Sequence, residues 1–537
     1  MNEMSPHTPR WGMTVDVNRC VGCQTCTVAC KHANDTVPGV QWRRVLDVET
    51  GVFPNVERLF MVVGCQHCAE PPCVPVCPSG ATKQRGDGLV TMDYDLCIGC
   101  ASCAVACPYQ ARTIVHDKKF YFGEETLQEK TVAHDDRLGV AQKCTFCITR
   151  VDDGLENGLK PGVDQSATPA CAAACIASAI TFGDFNDPES IVSQQVASRP
   201  SFQMHAELGT DPQIKYLYET PAVPGRDPGD SDVDGERLSD PENPLTGNAQ
   251  TFWDMRAAMN FIMGGIGSGL ILLTYLMHVM AGLAESAMLN IFAGAGAIIA
   301  VGLFFVWLKI GRKLRALYVI LRPQTSWMSR EVYAVVALYL LGFIDYLQPH
   351  PVFHALVAVF ALLFLYCQAR ILHAAKGIPS WRVPLMPWML MTSGLLEGAG
   401  LLAVILAIDP QPLASADPLP LAGLALIVVN VLLWRAYVTK AAENGIGPLS
   451  QVILYKATPM VLLVGNLLPA ILFLTVMTIS PTSPAWLLGI GGGFAVIGGA
   501  FWKATVITRA CHQQGFALAR YPQRGSGTFA APRLGGK

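Results

Sequence analysis

Residues 97–108 read CIGCASCAVACP: three cysteines at two-residue intervals, a fourth after three more residues, then proline. Cys97, Cys100, Cys103 and Cys107 thus form a C-x2-C-x2-C-x3-C group, and Cys20, Cys23, Cys26 and Cys30 repeat that spacing upstream. Between them lie Cys65, Cys68, Cys73 and Cys77, followed by Pro78; downstream come Cys144 and Cys147, then Cys171 and Cys175 after a long insertion. Three thiolates at two-residue spacing wrap one face of an iron–sulfur cube, while the fourth points away from it. Sixteen ligands at four per cube make four 4Fe–4S clusters. Structural zinc also uses paired cysteines, but triads in a row argue against it. Disulfides are disfavoured in a cytoplasmic domain. Cys367 and Cys511 stand outside the groups and are read as packing or surface residues.

By analogy with two-cluster ferredoxins, the last cysteine of each run is expected to serve the partner cluster. That pairs Cys65, Cys68 and Cys73 with Cys107, and Cys97, Cys100 and Cys103 with Cys77. It likewise pairs Cys20, Cys23 and Cys26 with Cys175, and Cys144, Cys147 and Cys171 with Cys30. His67, in CQHCAEPPC, is either a hydrogen-bonding tuner of a cluster or an ordinary structural histidine. Lys31, Arg112 and Lys143 either offset cluster charge or are solvated.

Outward from the cysteines the composition splits. The 537 residues are 51% hydrophobic and 15% charged, with a net charge of −2. Residues 1–250 carry 20 Lys/Arg against 33 Asp/Glu, a net of −13; residues 251–537 carry 19 against 8, a net of +11. Two unlike halves follow, which excludes one soluble globular enzyme, a disordered chain and a small disulfide-stapled module. The expected architecture is an α+β double ferredoxin-like iron–sulfur domain followed by an all-α eight-helix transmembrane bundle. Its expected divisions are 1–190 for the cluster domain, 191–250 for an extension and linker, 251–510 for the membrane anchor and 511–537 for a tail. Within the linker, PGRDPGDSDVDGERLSDPENP (224–244) reads as solvated, while 199–222 is less polar and able to pack back on the first domain.

Eight apolar runs of about 20 residues are each long enough to cross a bilayer. They lie near 257–283, 291–310, 331–347, 352–372, 384–408, 420–439, 458–479 and 485–508. Joined in order, they put the cysteine domain, the even-numbered loops and the tail on one face. That face collects Lys309, Arg312, Lys313, Arg315, Arg322, Arg330, Arg370, Lys376, Arg382, Arg435, Lys440, Lys456 and Arg509. The loops at 284–290, 348–351, 409–419 and 480–484 hold no Lys or Arg. The positive-inside rule makes the basic face cytoplasmic, as does the lack of a secretory or twin-arginine signal in residues 1–19.

At this point a resemblance is legible. CVGCQTCTVACKHAN (20–34), CQHCAEPPCVPVCPSGA (65–81), CIGCASCAVACPYQAR (97–112) and KCTFC…PACAAAC (143–175) closely resemble the four-cluster electron-transfer subunit of molybdenum and tungsten bis-pterin oxidoreductases, the dimethyl sulfoxide reductase superfamily, over about residues 10–190. Some relatives replace the second cysteine of the third group with Trp; Cys100 here implies a full cube. NFIMGGIGSGL (260–270) and LRPQTSWMSREVY (321–333) resemble the eight-helix anchor of the polysulfide reductase type (NrfD/DmsC-like). Where that family often carries an Asp- or His-containing segment, this chain has LKIGRK (308–313), which puts the role of that acid or histidine in doubt. The resemblance implies a fusion of two subunits that passes electrons between a separate molybdo- or tungsto-catalytic subunit and menaquinone or ubiquinone in the inner membrane, with no haem and no nucleic-acid partner. The layout is similar to sulfite dehydrogenase or phenylacetyl-CoA:acceptor oxidoreductase complexes, and a cytoplasmic substrate such as sulfite is expected. Dimethyl sulfoxide or polysulfide complexes, and a proton-translocating quinol-oxidising module, are the alternatives.

A quinone site fed by the clusters belongs near the basic face, where Asn260, Glu331, Tyr366 and His373 are the expected residues. Trp381, Arg370 and Arg382 read as interfacial anchors. Glu397 falls mid-span and is either a proton relay or a neutral carboxyl bonded to Asn430 or Asn466. Asp345 is expected in water near the far face. His278 and His354 lie toward that same face. Gly264, Gly265, Gly267 and Gly269 read as a helix–helix seam.

Overall fold

Strand β1 (Trp11–Asp16) is buried along its whole length and is paired on both edges. The computed structural model describes residues 8–52, 55–218, 237–414, 418–479 and 485–517. The core of the acidic linker at 219–236, Asp417, the loop at 480–484 and the tail from 518 lie outside those residues. With β2 (Arg43–Val52), β3 (Asn55–Gly64), β4 (Ile180–Asp184), β5 (Ser201–Phe202) and β6 (Ile214–Leu217), the main sheet runs β4-β1-β6-β5. β1 pairs antiparallel with β4 and parallel with β6, in the register Met13–Ile214 to Asp16–Leu217. Residues 191–217 are therefore built into the cluster domain: Ile214 and Tyr216 are fully buried there. β2 and β3 form a separate long hairpin.

Among the described residues eight helices follow: α1 (Met255–Ala281), α2 (Glu285–Lys309), α3 (Trp327–Leu347), α4 (Pro351–His373), α5 (Met386–Ile408), α6 (Pro418–Thr439), α7 (Pro448–Thr478) and α8 (Ala485–Thr508), each long and apolar enough to cross a membrane. α7 begins ten residues before the apolar run that signals it. Pro459 sits inside it, and from Met460 to Leu467 the backbone winds as a wider π-type helix, as expected where a proline removes a ladder donor. α1 is central. A Cβ on Gly264 would strike the Gln368 amide of α4, one on Gly267 would meet Ile299 of α2, and one on Gly269 would meet the Gly394 carbonyl of α5. The glycine run is thus a seam with three neighbours.

The cluster domain rests on the end of the bundle where α1, α3 and α5 begin and α2, α4 and α8 end. The LKIGRK segment makes much of this contact. Arg312 donates from its backbone to Ile98 O (3.0 Å) and from its guanidinium to Leu138 O (2.8 Å) and Asp135 O (2.7 Å). Arg315 donates to Tyr94 O at 2.7 Å. Residues after α8 are not a free tail at their start. Gln514 donates to Gly377 O (2.8 Å) and accepts from the Gln110 amide at 3.3 Å, and Gly515 O lies 2.8 Å from His205 Nε2. At the joint, Gly311 lies backbone to backbone against Gly99 and Gly139, with no room for a Cβ. Gly311→Val is expected to loosen the joint between the two parts: cleavage between them in limited proteolysis should quicken about tenfold or more, one factor of ten per 1.4 kcal/mol of lost packing.

Candidate functional site: sixteen thiols and a cavity beneath them

The cysteine loops are shaped by left-handed residues. In CVGC and CIGC, Gly22 and Gly99 have φ of 70° and 73°, and Gln24 and Ala101 follow at 63° and 66°. Alternation of this kind turns backbone N–H groups toward a common centre, a form that cradles anionic groups. The thiols gather in fours. Cys30 interacts with Cys144, Cys147 and Cys171; Cys26 with Cys20 and Cys175; Cys68 with Cys65, Cys73 and Cys107; and Cys103 with Cys77, Cys97 and Cys100. Cys23 shares the loop of the second of these sets and is exposed. All are free thiols, and among the described residues no three Cys, His, Asp or Glu side chains close on a single ion. Four soft donors in loops of inward N–H groups suit an iron–sulfur cube.

Two arginines stand between the sets. Arg43 is fully buried, and although burial opposes its charge, Cys171, Cys144, Cys30 and Cys26 together raise its pKa. Arg112 is held likewise by Cys103, Cys73, Cys65 and Cys107, with Nη2 3.1 Å from Cys73 Sγ. Lys143 instead donates to Val90 O and to Cys144 O (2.7 Å), and Lys31 to the carbonyls of Thr36 and Val37 (2.7 and 2.8 Å). His67 touches no sulfur. It accepts from Val90 N at Nδ1 (3.1 Å), so Nε2 donates to Cys144 O (3.1 Å), and its ring stacks on Phe146. Burial, with Lys143 nearby, holds its pKa well below the usual imidazole range. Asn34, in contrast, reaches Cys30 Sγ and Cys147 Sγ at 3.8 and 3.7 Å.

The sets adjoin one another. Cys23 is at the exposed end; Cys26 reaches toward Cys171, and Cys144 toward Cys65. The set containing Cys100 lies against the bundle. Cys100 O accepts from Trp253 Nε1 (3.1 Å) and Lys309 Nζ (3.3 Å). Directly below is a cavity walled by apolar side chains together with Cys100, Trp253, Asn260, Trp307, Lys309 and Glu331. Glu331 and Asn260 are buried and meet at 3.4 Å, and Gln368 donates to Asn260 O at 3.1 Å.

Of the residues expected at a quinone site, Asn260 and Glu331 come together at this cavity. Tyr366 and His373 do not line it. Tyr366 packs edge-on against Trp327, whose ring also carries the Arg330 and Arg370 guanidiniums, and His373 is half-buried at the end of α4. Trp381 is not an interfacial anchor: it is fully buried, donates to Val506 O (2.8 Å) and stacks on Trp253. Glu397 bonds neither Asn430 nor Asn466. Its Oε2 is 2.8 Å from Lys503 Nζ and its Oε1 accepts from Ser393 Oγ at 2.8 Å, which itself accepts from Trp502 Nε1. Lys503, a cation within an apolar span, is the signal that sequence reasoning missed. Asp345 is not in water: it is fully buried, 2.7 Å from His354 Nδ1.

Known proteins share both halves of this layout. Residues 56–122 match the 4Fe-4S dicluster domain family, and residues 257–445 match the family described as DMSO reductase anchor subunit (DmsC). One subunit of the selenate reductase of Mesobacillus selenatarsenatis is 39% identical over 224 residues, 39% of this chain and 72% of the relative. One subunit of the sulfite dehydrogenase of Allochromatium vinosum is 37% identical over 221 residues, 38% of this chain and 81% of the relative. The iron–sulfur cluster-binding subunit of menaquinone reductase from Nitratidesulfovibrio vulgaris is 35% identical over 231 residues, 39% of this chain and 88% of the relative.

Proposed function

Because the chain belongs to the family of iron–sulfur subunits that includes these selenate reductase and menaquinone reductase relatives, and carries a dimethyl sulfoxide reductase-type anchor in the same polypeptide, we propose that it relays electrons between a separate catalytic subunit and membrane quinone. Bound 4Fe–4S clusters supply one-electron oxidation and reduction; the chain's residues decide where they stand and what charge surrounds them. The proposed ligand sets are Cys20, Cys23, Cys26 and Cys175; Cys30, Cys144, Cys147 and Cys171; Cys65, Cys68, Cys73 and Cys107; and Cys77, Cys97, Cys100 and Cys103. The proposed divisions are those of the sequence reading, with residues 191–217 assigned to the cluster domain.

The observation that carries the quinone reading is the apolar cavity with Cys100 in its wall. Its apolar walls with a few convergent polar groups suit a quinone ring. The Asn260 amide and the Lys309 ammonium can donate to quinone oxygens, and Glu331 can exchange a proton with them. Glu397, with Lys503 as its counter-ion, is read as a fixed pair. The exposed rim around Cys23, with Val21, Val28 and Ile176 also exposed, suits docking of the catalytic subunit, for which a molybdenum or tungsten bis-pterin enzyme is proposed. The concentration of Lys and Arg on the cluster side supports a cytoplasmic cluster domain. The relatives' names point to oxyanions of sulfur, selenium or arsenic as substrates of such partners, with sulfite the first to test.

Ala257 lines the cavity, and Ala257→Trp would fill it. Re-oxidation of reduced clusters by decyl-ubiquinone should then slow about tenfold or more, one unit of log rate per 1.4 kcal/mol of lost binding or positioning, with iron content unchanged. An unaltered rate in a fully loaded variant would overturn the assignment.

A further inference from the structure

Where α3 begins and α4 ends, on the cluster side of the bundle, two guanidiniums meet one indole. The Arg330 guanidinium carbon stands 4.2 Å from the centroid of the Trp327 ring, and that of Arg370 stands 5.1 Å from it. Tyr366 closes the edge of the same ring at 5.5 Å. Arginine suits such a face because its planar cation is weakly hydrated and stacks on aromatic rings. Arg330 is also fixed by the chain: Nε donates to Pro323 O at 2.7 Å and Nη2 to Gln324 O at 2.6 Å. Those carbonyls orient its fork and leave its charge uncancelled.

Two like charges on one ring repel, and an acid nearby is the usual answer. Elsewhere on this side the chain supplies one: Arg256 has Asp254 at 2.7 Å, and Arg315 has Asp95 at 3.4 Å. Among the described residues neither Arg330 nor Arg370 is paired with a carboxylate. Glu331, next in the chain, is turned to Asn260 in the cavity. The Arg370 guanidinium donates no hydrogen bond among the described residues, and its Nε is enclosed without a partner. A cationic donor left unmade in this way is costly, so the arrangement is incomplete without an anion.

The position says which anion. α3 starts at Trp327 and α4 ends at His373, which puts the two arginines at headgroup depth. Leu363 and Val359 lie seven and eleven residues before Arg370 on α4, two and three turns into the span on the same helix face. They are 42% and 57% exposed. A cationic pair above a line of outward apolar side chains matches a molecule with an anionic phosphate at one end and an acyl chain behind it. We propose that Trp327, Arg330 and Arg370 form a site for the headgroup of an anionic phospholipid. Guanidinium forks bind phosphate oxygens two at a time, and basic pockets between spans on the cytoplasmic side are where such headgroups gather. A zwitterionic headgroup would instead bring its own cation to the arginines. The first turn of α3 also carries Met328 and Glu331 into the cavity wall, so a lipid that fixes Trp327 and Arg330 fixes that wall too. The site does not depend on what the cavity holds.

The test uses the full chain with its clusters, purified in neutral detergent and mixed with equal amounts of phosphatidylglycerol and phosphatidylcholine. Native mass spectrometry counts the lipid retained. One phosphatidylglycerol per chain is expected, preferred over phosphatidylcholine about twentyfold. Arg330→Gln and Arg370→Gln should each lower that preference about fivefold, the scale of one basic residue at an anionic surface, with iron content unchanged. Arg370→Lys, which keeps the charge and loses the fork, should lower it about twofold and serves if a glutamine variant fails to assemble. Arg435→Gln, an exposed arginine at the same end of α6, should leave it intact. No loss in the Arg330 and Arg370 variants, or an equal loss in Arg435→Gln, would overturn the site, since the basic face as a whole would then attract the lipid. Retention of inorganic phosphate alone, lost in the same two variants and with no preference between the lipids, would overturn the lipid in favour of a free oxyanion.

Discussion

Lys503→Met is expected to destabilise the bundle by about 3–5 kcal/mol, the cost of leaving a buried partner charge without its counter-ion. Both ends of the Lys503–Glu397 pair are fully buried at 2.8 Å, with Ser393 on the second carboxylate oxygen and Phe261 O 3.4 Å from the ammonium. Gly499 and Gly265 pack directly against the two groups, so neither can swing away to lipid headgroups. Removing both charges, as Lys503→Met with Glu397→Gln, should recover most of the loss, because isosteric neutral packing often matches a buried ion pair. Thermal unfolding of the two single variants and the double variant closes the cycle. Additive losses, with no recovery in the double variant, would show that the groups do not act as a pair.

Arg43→Gln is the second large effect. This arginine lies between the thiols of Cys26 and those of Cys30, Cys144 and Cys171, within the cluster-domain core. A unit charge about 5–6 Å from a cluster centre contributes roughly 3 kcal/mol at an effective dielectric constant near 20. For a one-electron couple that is about 130 mV, from the 59 mV that corresponds to a factor of ten. With the proposed ligand sets, the two clusters beside Arg43 should become harder to reduce by about that amount, and Arg112→Gln should act equally on the two proposed beside Arg112. Potentiometric titration followed by electron paramagnetic resonance would resolve them. A change confined to one cluster per variant would place the arginines beside single clusters and not between pairs.

The four cysteine groups were legible because spacing marks them: each loop is local, and Gly22 and Gly99 supply the left-handed turns it needs. The eight spans were legible from hydropathy, with α7 the exception, since Pro448–Lys456 is too polar to read as its first turns. Arg43 was not legible. Nothing in WRR distinguishes it from a surface arginine, and its thiols come from residues 26 to 171 through tertiary folding. Lys503 could have been found by asking what a mid-span carboxylate pairs with, since few opposite charges lie within the apolar runs. Asp345 was misjudged because depth along a helix does not reveal that His354 on the next helix covers it. Tyr366 and His373 share the basic face with the cavity but point their contacts elsewhere, a distinction that rotation about α4 decides and periodicity alone does not.

The backbone bridge where Ala249 meets His512 has a consequence in time. Gln250 donates from its backbone to Cys511 O and through its side chain to Ile507 O (2.9 Å), while Phe516 donates to Leu245 O. The segment leading into the first helix is thus closed by residues translated after the last one. Synthesis proceeds from the amino end, so the cluster domain can fold and load its iron early, yet its seat is incomplete until α8 has entered the bilayer. Order of manufacture is written into the joint: a chain stalled before α8 would hold the cluster domain by Arg312 and Arg315 but without the clasp of residues 507–516.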